Sequence, residues 1–107
     1  MFIAMNRFKV LKDETAAFEN VWLTRDSHLN EVPGFIAFRL LRGPEREDHV
    51  LYASHTLFAS EQDFVDWTKS EAFRAAHAQA GERKPLTLGR PEFEGFNVVQ
   101  SLEKVSA

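Results

Sequence analysis

The 107-residue sequence contains no cysteine. That excludes disulfides, thiolate nucleophiles, iron–sulfur ligation, zinc–thiolate centres and covalent attachment of a group through C-x-x-C-H. Glycine is scarce: five residues, Gly34, Gly43, Gly81, Gly89 and Gly95, none spaced as G-x-G-x-x-G or G-x-x-x-x-G-K-[ST]. Nucleotide-dependent chemistry is thereby disfavoured. No G-x-S-x-G elbow and no His-Glu-x-x-His occurs, which removes the commonest hydrolase and zinc-protease signatures. There is no excess of positive charge either, with 13 basic against 16 acidic residues and a net charge of −3. Nucleic acid is not an expected partner. No apolar run approaches the roughly 18 residues of a membrane span, and MFIAMNRFKVL carries a charge too early for a signal peptide. A cytoplasmic, unprocessed protein is the expectation.

What the sequence does have is aromatic surface. Ten phenylalanines and two tryptophans supply more flat apolar area than so small a core usually needs, enough to receive a large planar guest. With 44% hydrophobic and 27% charged residues, the composition is that of one globular domain spanning 1–107.

Residues 1–11 alternate as a strand, with Phe2, Ala4, Phe8 and Val10 on one face and Ile3, Met5 and Leu11 on the other. Asp13 is placed to cap a first helix over 14–30, carrying Phe18, Val21, Trp22 and Leu29 at helical spacing. Pro33-Gly34 stops it. Two strand-forming segments, 35–42 and 50–58, flank the polar GPEREDH and read as a hairpin. Ser60 and Ser70 are the caps of two further helical stretches, broken near 68–70, and Phe73, Ala76, His77 and Ala80 share a stripe on the second. Gly81 ends it, a loop with Arg83, Lys84 and Arg90 follows, and a last strand covers 93–103.

The order β-α-β-β-α-β is that of the ferredoxin-like α+β fold, an antiparallel sheet with helices on one face. The strand over 35–42 is apolar on both faces, Ile36, Phe38 and Leu40 opposite Phe35, Ala37 and Leu41. A chain this short has no second layer for the far face, so a homodimer packed sheet against sheet is expected.

Three residues carry candidate chemistry. His77 stands among small residues on an apolar stripe, either as a core histidine bonded to a backbone carbonyl or as a neutral imidazole offered to a metal. Asn6 is the one polar residue on the Phe2 face. Its amide must find partners or cost about 1–3 kcal/mol, whether from a neighbouring loop or from a bound ligand. Trp67 precedes His77 by ten residues, about 15 Å along a straight helix and about 80° around it. Only a break at Ser70 lets the two share a cavity; otherwise Trp67 is a core residue. His28, His49 and His55 read as surface or packing residues. Arg83, Lys84 and Arg90 read as solvated charges, or as a loop placed to cover a pocket and meet a carboxylate.

Two segments, FIAMNRF and SEQDFVDWTKSEAFRAAH with its W-x-x-S-x-x-F-x-x-A-H pattern, make the chain resemble the IsdG-type haem-degrading monooxygenases of the antibiotic biosynthesis monooxygenase superfamily. The resemblance implies a dimeric α+β barrel with one haem per subunit, both substrate and cofactor. It implies His77 as the proximal iron ligand, Asn6 as a hydrogen-bonding residue on the distal side, and Trp67 as the indole that presses on and buckles the porphyrin. Dioxygen and electrons from an external reductase or small reductant would open the ring and release iron. The chain departs from the family at Phe58-Ala59-Ser60, where the relatives often carry Trp before Glu-Ser or Lys-Ser, and its loop at 81–91 is of a kind that varies. The alternatives are a cofactor-free monooxygenase acting on a quinol or polyphenol, and a non-catalytic haem-binding module.

Overall fold

The computed structural model describes residues 1–25, 27–77 and 85–104, with 75–77 limited to their helical backbone. Four strands, β1 (Phe2–Val10), β2 (Phe35–Glu45), β3 (Val50–Phe58) and β4 (Glu92–Asn97), form one sheet in the order β2-β3-β1-β4. All neighbours are antiparallel. Among the described residues there are three α-helices: α1 (Thr15–Thr24), α2 (Glu61–Thr68) and α3 (Glu71–His77). The fold is the expected ferredoxin-like α+β arrangement. Among the described residues no helix is long and apolar enough to cross a membrane.

The expected ends shift where local bonding competes with periodicity. Asp13 is not the cap of α1; it lies in a 3-10 turn, Lys12–Glu14, and neither turn nor helix has a side-chain cap. Nor does α1 run to 30. Arg25 turns to extended backbone, His28 takes a left-handed conformation (φ 57°), and the Leu29 N–H donates to Ser27 Oγ at 3.4 Å. A second 3-10 turn, Leu29–Glu31, results, which buries Leu29 and Val32 over the sheet. His28 therefore lies between helices, not late in one. The hairpin strand β2 runs to Glu45, and β4 stops at Asn97 rather than 103.

Ser60 caps α2 as the sequence implies. Its Oγ accepts from the Asp63 N–H at 3.1 Å and donates to Asp63 Oδ2 at 2.9 Å, a reciprocal arrangement at the first turn. Ser70 is the joint between α2 and α3. It donates to the Trp67 carbonyl from both Oγ (2.6 Å) and N–H (2.9 Å), and its Oγ accepts from the Phe73 N–H at 3.2 Å. In an unbroken helix Trp67 and Phe73 would sit about 9 Å apart along the axis and about 120° around it. Here their rings meet edge to face at 4.9 Å, so the helix does bend at 68–70.

A β-bulge re-sorts β2. Phe35 pairs with Phe58 and Ala37 with Leu57, leaving Ile36 as the extra residue. Phe35, Phe38 and Leu40 then face the helices and pack on the core, while Ala37 and Leu41 share the other face with Leu57 and Ala53. The two-sided apolar character is real, but the grouping differs from simple alternation. No helix among the described residues covers the opposite face of the sheet, on which Ile3, Met5, Ala53 and Leu57 are half-buried.

Two contacts fix helices to sheet. Gly95 lies opposite Ala4, and a Cβ there would stand 2.5 Å from Phe2 Cζ. The missing side chain lets the Phe2 ring lie across β4 and meet Phe64 of α2 at 5.3 Å. Under α1, the buried Tyr52 hydroxyl donates to Glu19, which Arg42 also bonds at 3.1 Å. Burial first, and the bond to Glu19 second, push the Tyr52 phenol above its ordinary value.

Gly95→Ala should displace the Phe2 ring and lower unfolding free energy by about 1–3 kcal/mol, read by urea denaturation. Because the folded-state phenol of Tyr52 titrates above its unfolded value of 10.0, its contribution is intact below pH 10 and is lost as pH rises through the folded value. Urea midpoints from pH 8 to 12 should therefore fall more steeply in the parent chain than in Tyr52→Phe.

Candidate functional site

Between helices and sheet the two central strands present one continuous row. It reads Phe2, Ala4, Asn6, Phe8, Val10 along β1, paired one to one with Phe58, Thr56, Ser54, Tyr52, Val50 along β3. Side chains two apart on a strand share a face, and directly opposed residues share it too. One end of this row is the Phe2/Phe58 pair, the other runs through Phe8/Tyr52 to Val10/Val50, and its middle is polar.

Each end is covered by a different helix. At one end, α2 sets Phe64 against Phe2 and Phe58, and Trp67 against Phe58 at 5.7 Å. Phe93 of β4 stacks on Phe64 at 5.4 Å and 7°. At the other end, α1 sets Phe18 on Tyr52 at 5.0 Å and on Phe8 at 5.3 Å. Trp22 stacks at 5.6 Å and 17° on Phe38, which packs on the Phe2/Phe58 end, so the two ends touch over β2. The buried residues accordingly form two clusters, one around Phe2, Phe58, Leu29 and Val32 and one around Val10, Phe18, Val50 and Tyr52. Asn6, Ser54 and Thr56 make the polar belt between them.

Asn6 is half-buried on this belt, on the Phe2 face where the alternation puts it. Its amide makes no side-chain hydrogen bond to another described residue. The alternative of a neighbouring loop as its partner is thus not realised among the described residues. Trp67 lies over the Phe2/Phe58 end, with Phe58, Phe64 and Phe73 around its indole. Asn6 is four residues from Phe2, about 13 Å along the strand. The structure brings these two to the same layer, Asn6 at the middle of the row and Trp67 over its Phe58 end. His77 closes α3, directly beyond the Ser70 joint, and its side chain lies outside the described residues, as do Arg83 and Lys84.

Arg90 does not cover this layer. With Arg7, Lys9, Leu51, Leu88 and Glu92 it lines a cleft of about 210 Å³ on the helix-free side, where Arg7 also pairs with Glu94. His55 is inside β3, on that same far face opposite Met5 and Arg39. His49 bonds Asp48 at 2.6 Å. Among the described residues no group of three or more His, Asp or Glu side chains is arranged to hold a metal ion. The sequence reading missed Ser54 and Thr56. Strict alternation in VLYASHTLF was the available signal, since it puts both hydroxyls on the buried row.

The chemistry of this layer is mixed, aromatic toward its ends and hydrogen-bonding at its middle. The aromatic clusters offer flat contact at both ends, and the belt offers hydrogen bonds to a small group at the middle.

Comparison with known proteins agrees on the family. The antibiotic biosynthesis monooxygenase profile matches residues 1–79. A haem-degrading monooxygenase from Bacillus thuringiensis is 36% identical over 50 residues, 47% of this chain and 47% of that protein. The match thus spans about half the length of these curated relatives. Among solved structures, the haem degrader MhuD from Mycobacterium tuberculosis, with two haems in its active site, superposes with a TM-score of 0.74 at 25% identity, over 96% of this chain and 100% of that one. SnoaB, a cofactor-independent oxygenase from Streptomyces nogalater, superposes with a TM-score of 0.66 at 22% identity, over 96% of this chain and 97% of that one.

Proposed function

The chain belongs to the antibiotic biosynthesis monooxygenase family, and from that premise we propose that it is a haem-degrading monooxygenase. Haem is its substrate, O2 the oxidant, and an external reductase or small reductant the electron source, with ring opening releasing iron. The observation that carries this reading is Asn6: a half-buried amide without a protein partner among the described residues, between two aromatic clusters. An amide that bonds no other described side chain keeps its N–H groups for a ligand with an acceptor at that point. The Bacillus relatives and MhuD, both haem degraders by name, support haem over other planar guests.

Bound haem supplies the redox-active iron and the carbon that is oxidised. The protein supplies orientation. In this reading His77 holds the iron through its imidazole, at the end of a helix re-aimed by Ser70. Asn6 donates a hydrogen bond from the sheet side and orients whatever small ligand binds there. Trp67, packed against Phe58, Phe64 and Phe73, would press on the ring and help keep water away. The likeness to SnoaB favours the competing reading, a cofactor-independent oxygenase of a quinol or polyphenol.

The proposal includes a homodimer with the helix-free faces packed together. Ile3, Met5, Ala53 and Leu57 give that face an apolar centre, Leu41 and Phe96 stay 38% and 41% exposed, and an apolar face of this kind suits a two-fold interface. A reducing, cytoplasmic setting fits the cysteine-free composition.

Anaerobic haem titration should give a Soret band that His77→Ala abolishes. Ascorbate and air should then degrade the pigment, with an open-chain tetrapyrrole in the mass spectrum. Asn6→Ala and Trp67→Ala should keep haem binding and slow degradation by about tenfold or more; unchanged rates in both would remove their roles. A Soret band without turnover makes the protein a haem-binding module, and no band at all favours the quinol reading. Leu57→Glu, in the centre of the helix-free face, should sediment as a monomer where the parent chain is a dimer.

A further inference from the structure

The polar belt holds a second hydrogen-bonding group beside Asn6. Ser54 is 4% exposed and stands directly across from Asn6 in the β1–β3 register, with Leu40 on its other flank. Opposed residues of an antiparallel pair keep their Cβ atoms about 4.5–5.5 Å apart, so the hydroxyl and the amide can reach one small ligand between them. Like Asn6, Ser54 makes no side-chain hydrogen bond to another described group. Its hydroxyl can both donate and accept, a capacity that alanine at the same place would lack. Every other member of this row, apart from Asn6 and Thr56, is apolar or, in Tyr52, already bonded to Glu19.

We propose that Ser54 is a second ligand-orienting residue: its hydroxyl and the Asn6 amide form a two-point hydrogen-bonding site for a small polar ligand on the distal side of the haem. This rests on the haem reading above. One donor fixes how far the ligand stands from the sheet, and a second, from the neighbouring strand, fixes the direction in which it leans. Direction would decide which edge of a planar substrate that ligand faces, which would place Ser54 among the residues that set regiospecificity.

Cyanide added to the ferric haem complex is the probe, followed by the Soret shift, with the C–O stretch of the ferrous carbonyl complex as a second signature. Ser54→Ala should leave haem affinity within about twofold of the parent chain and weaken cyanide binding about fivefold, the worth of one neutral hydrogen bond. Ser54→Thr, which keeps the hydroxyl, should restore most of that affinity. The Ser54→Ala, Asn6→Ala double variant should bind cyanide more weakly than either single one. The C–O frequency should move in Ser54→Ala and return in Ser54→Thr. Unchanged cyanide affinity and an unchanged C–O stretch in Ser54→Ala, with haem bound normally, overturn the proposal. A parent chain without a Soret band overturns the haem reading and this proposal with it.

Discussion

Nine consecutive pairs, from Phe2 with Phe58 to Val10 with Val50, hold β1 against β3, and this register is the constraint on which the site depends. Side chains alternate with a period of two, so a slip of one residue would turn Asn6, Ser54 and both ends of the row to the wrong side of the sheet. Register is held wherever one face is buried, and here the apolar ends do that work. Phe58 and Val10 at opposite ends are fully buried, so the two clusters act as clamps on either side of the belt. The polar middle is tolerable because the ends are not polar.

The helices follow from the same division. A single helix across the whole sheet would have to cross the belt and bury it against aliphatic side chains. Two separate caps avoid that. α1 takes the Tyr52 end, α2 the Phe58 end, and the Ser70 joint turns α3 away from the axis of α2 while holding it close enough for Phe73 to meet Trp67. Ser70 is small and polar, and serves both helices, closing the end of one with its donors and opening the other with its acceptor.

The strands were the legible part of the fold, because alternation in FIAMNRFKV and VLYASHTLF is nearly strict and the bonding follows it. So were the caps at Ser60 and Ser70, where a hydroxyl precedes a helical pattern and no stronger local bond competes. The end of α1 was not: Leu29 and Val32 continue the apolar spacing, yet they reach the core through a 3-10 turn and a left-handed His28. Periodicity marks which residues are buried and not which backbone carries them there. The bulge in β2 was hidden for a similar reason, since one extra residue between two apolar runs leaves composition unchanged. In the site, Asn6 was legible as the one polar residue on an apolar row of its own strand. Ser54 was not, because serine and threonine are ordinary in strands and gain meaning only when the register sets Ser54 opposite an amide.

β1 also carries both faces of the proposed activity on alternate residues. Asn6 points to the helices while Met5 and Arg7, its chain neighbours, point to the helix-free side. A strand fixed on both sides cannot tilt toward a ligand without disturbing its pairing with β3 and β4. The amide is therefore aimed by the whole sheet rather than by its own rotamer alone, and a site that must present one hydrogen bond at a fixed angle gains from standing on a central strand. The same coupling runs outward: whatever covers Met5 and Leu57 stiffens the strand pair that carries Asn6 and Ser54. Covering the far face and orienting a ligand on the near one are, in this fold, two consequences of a single pair of strands.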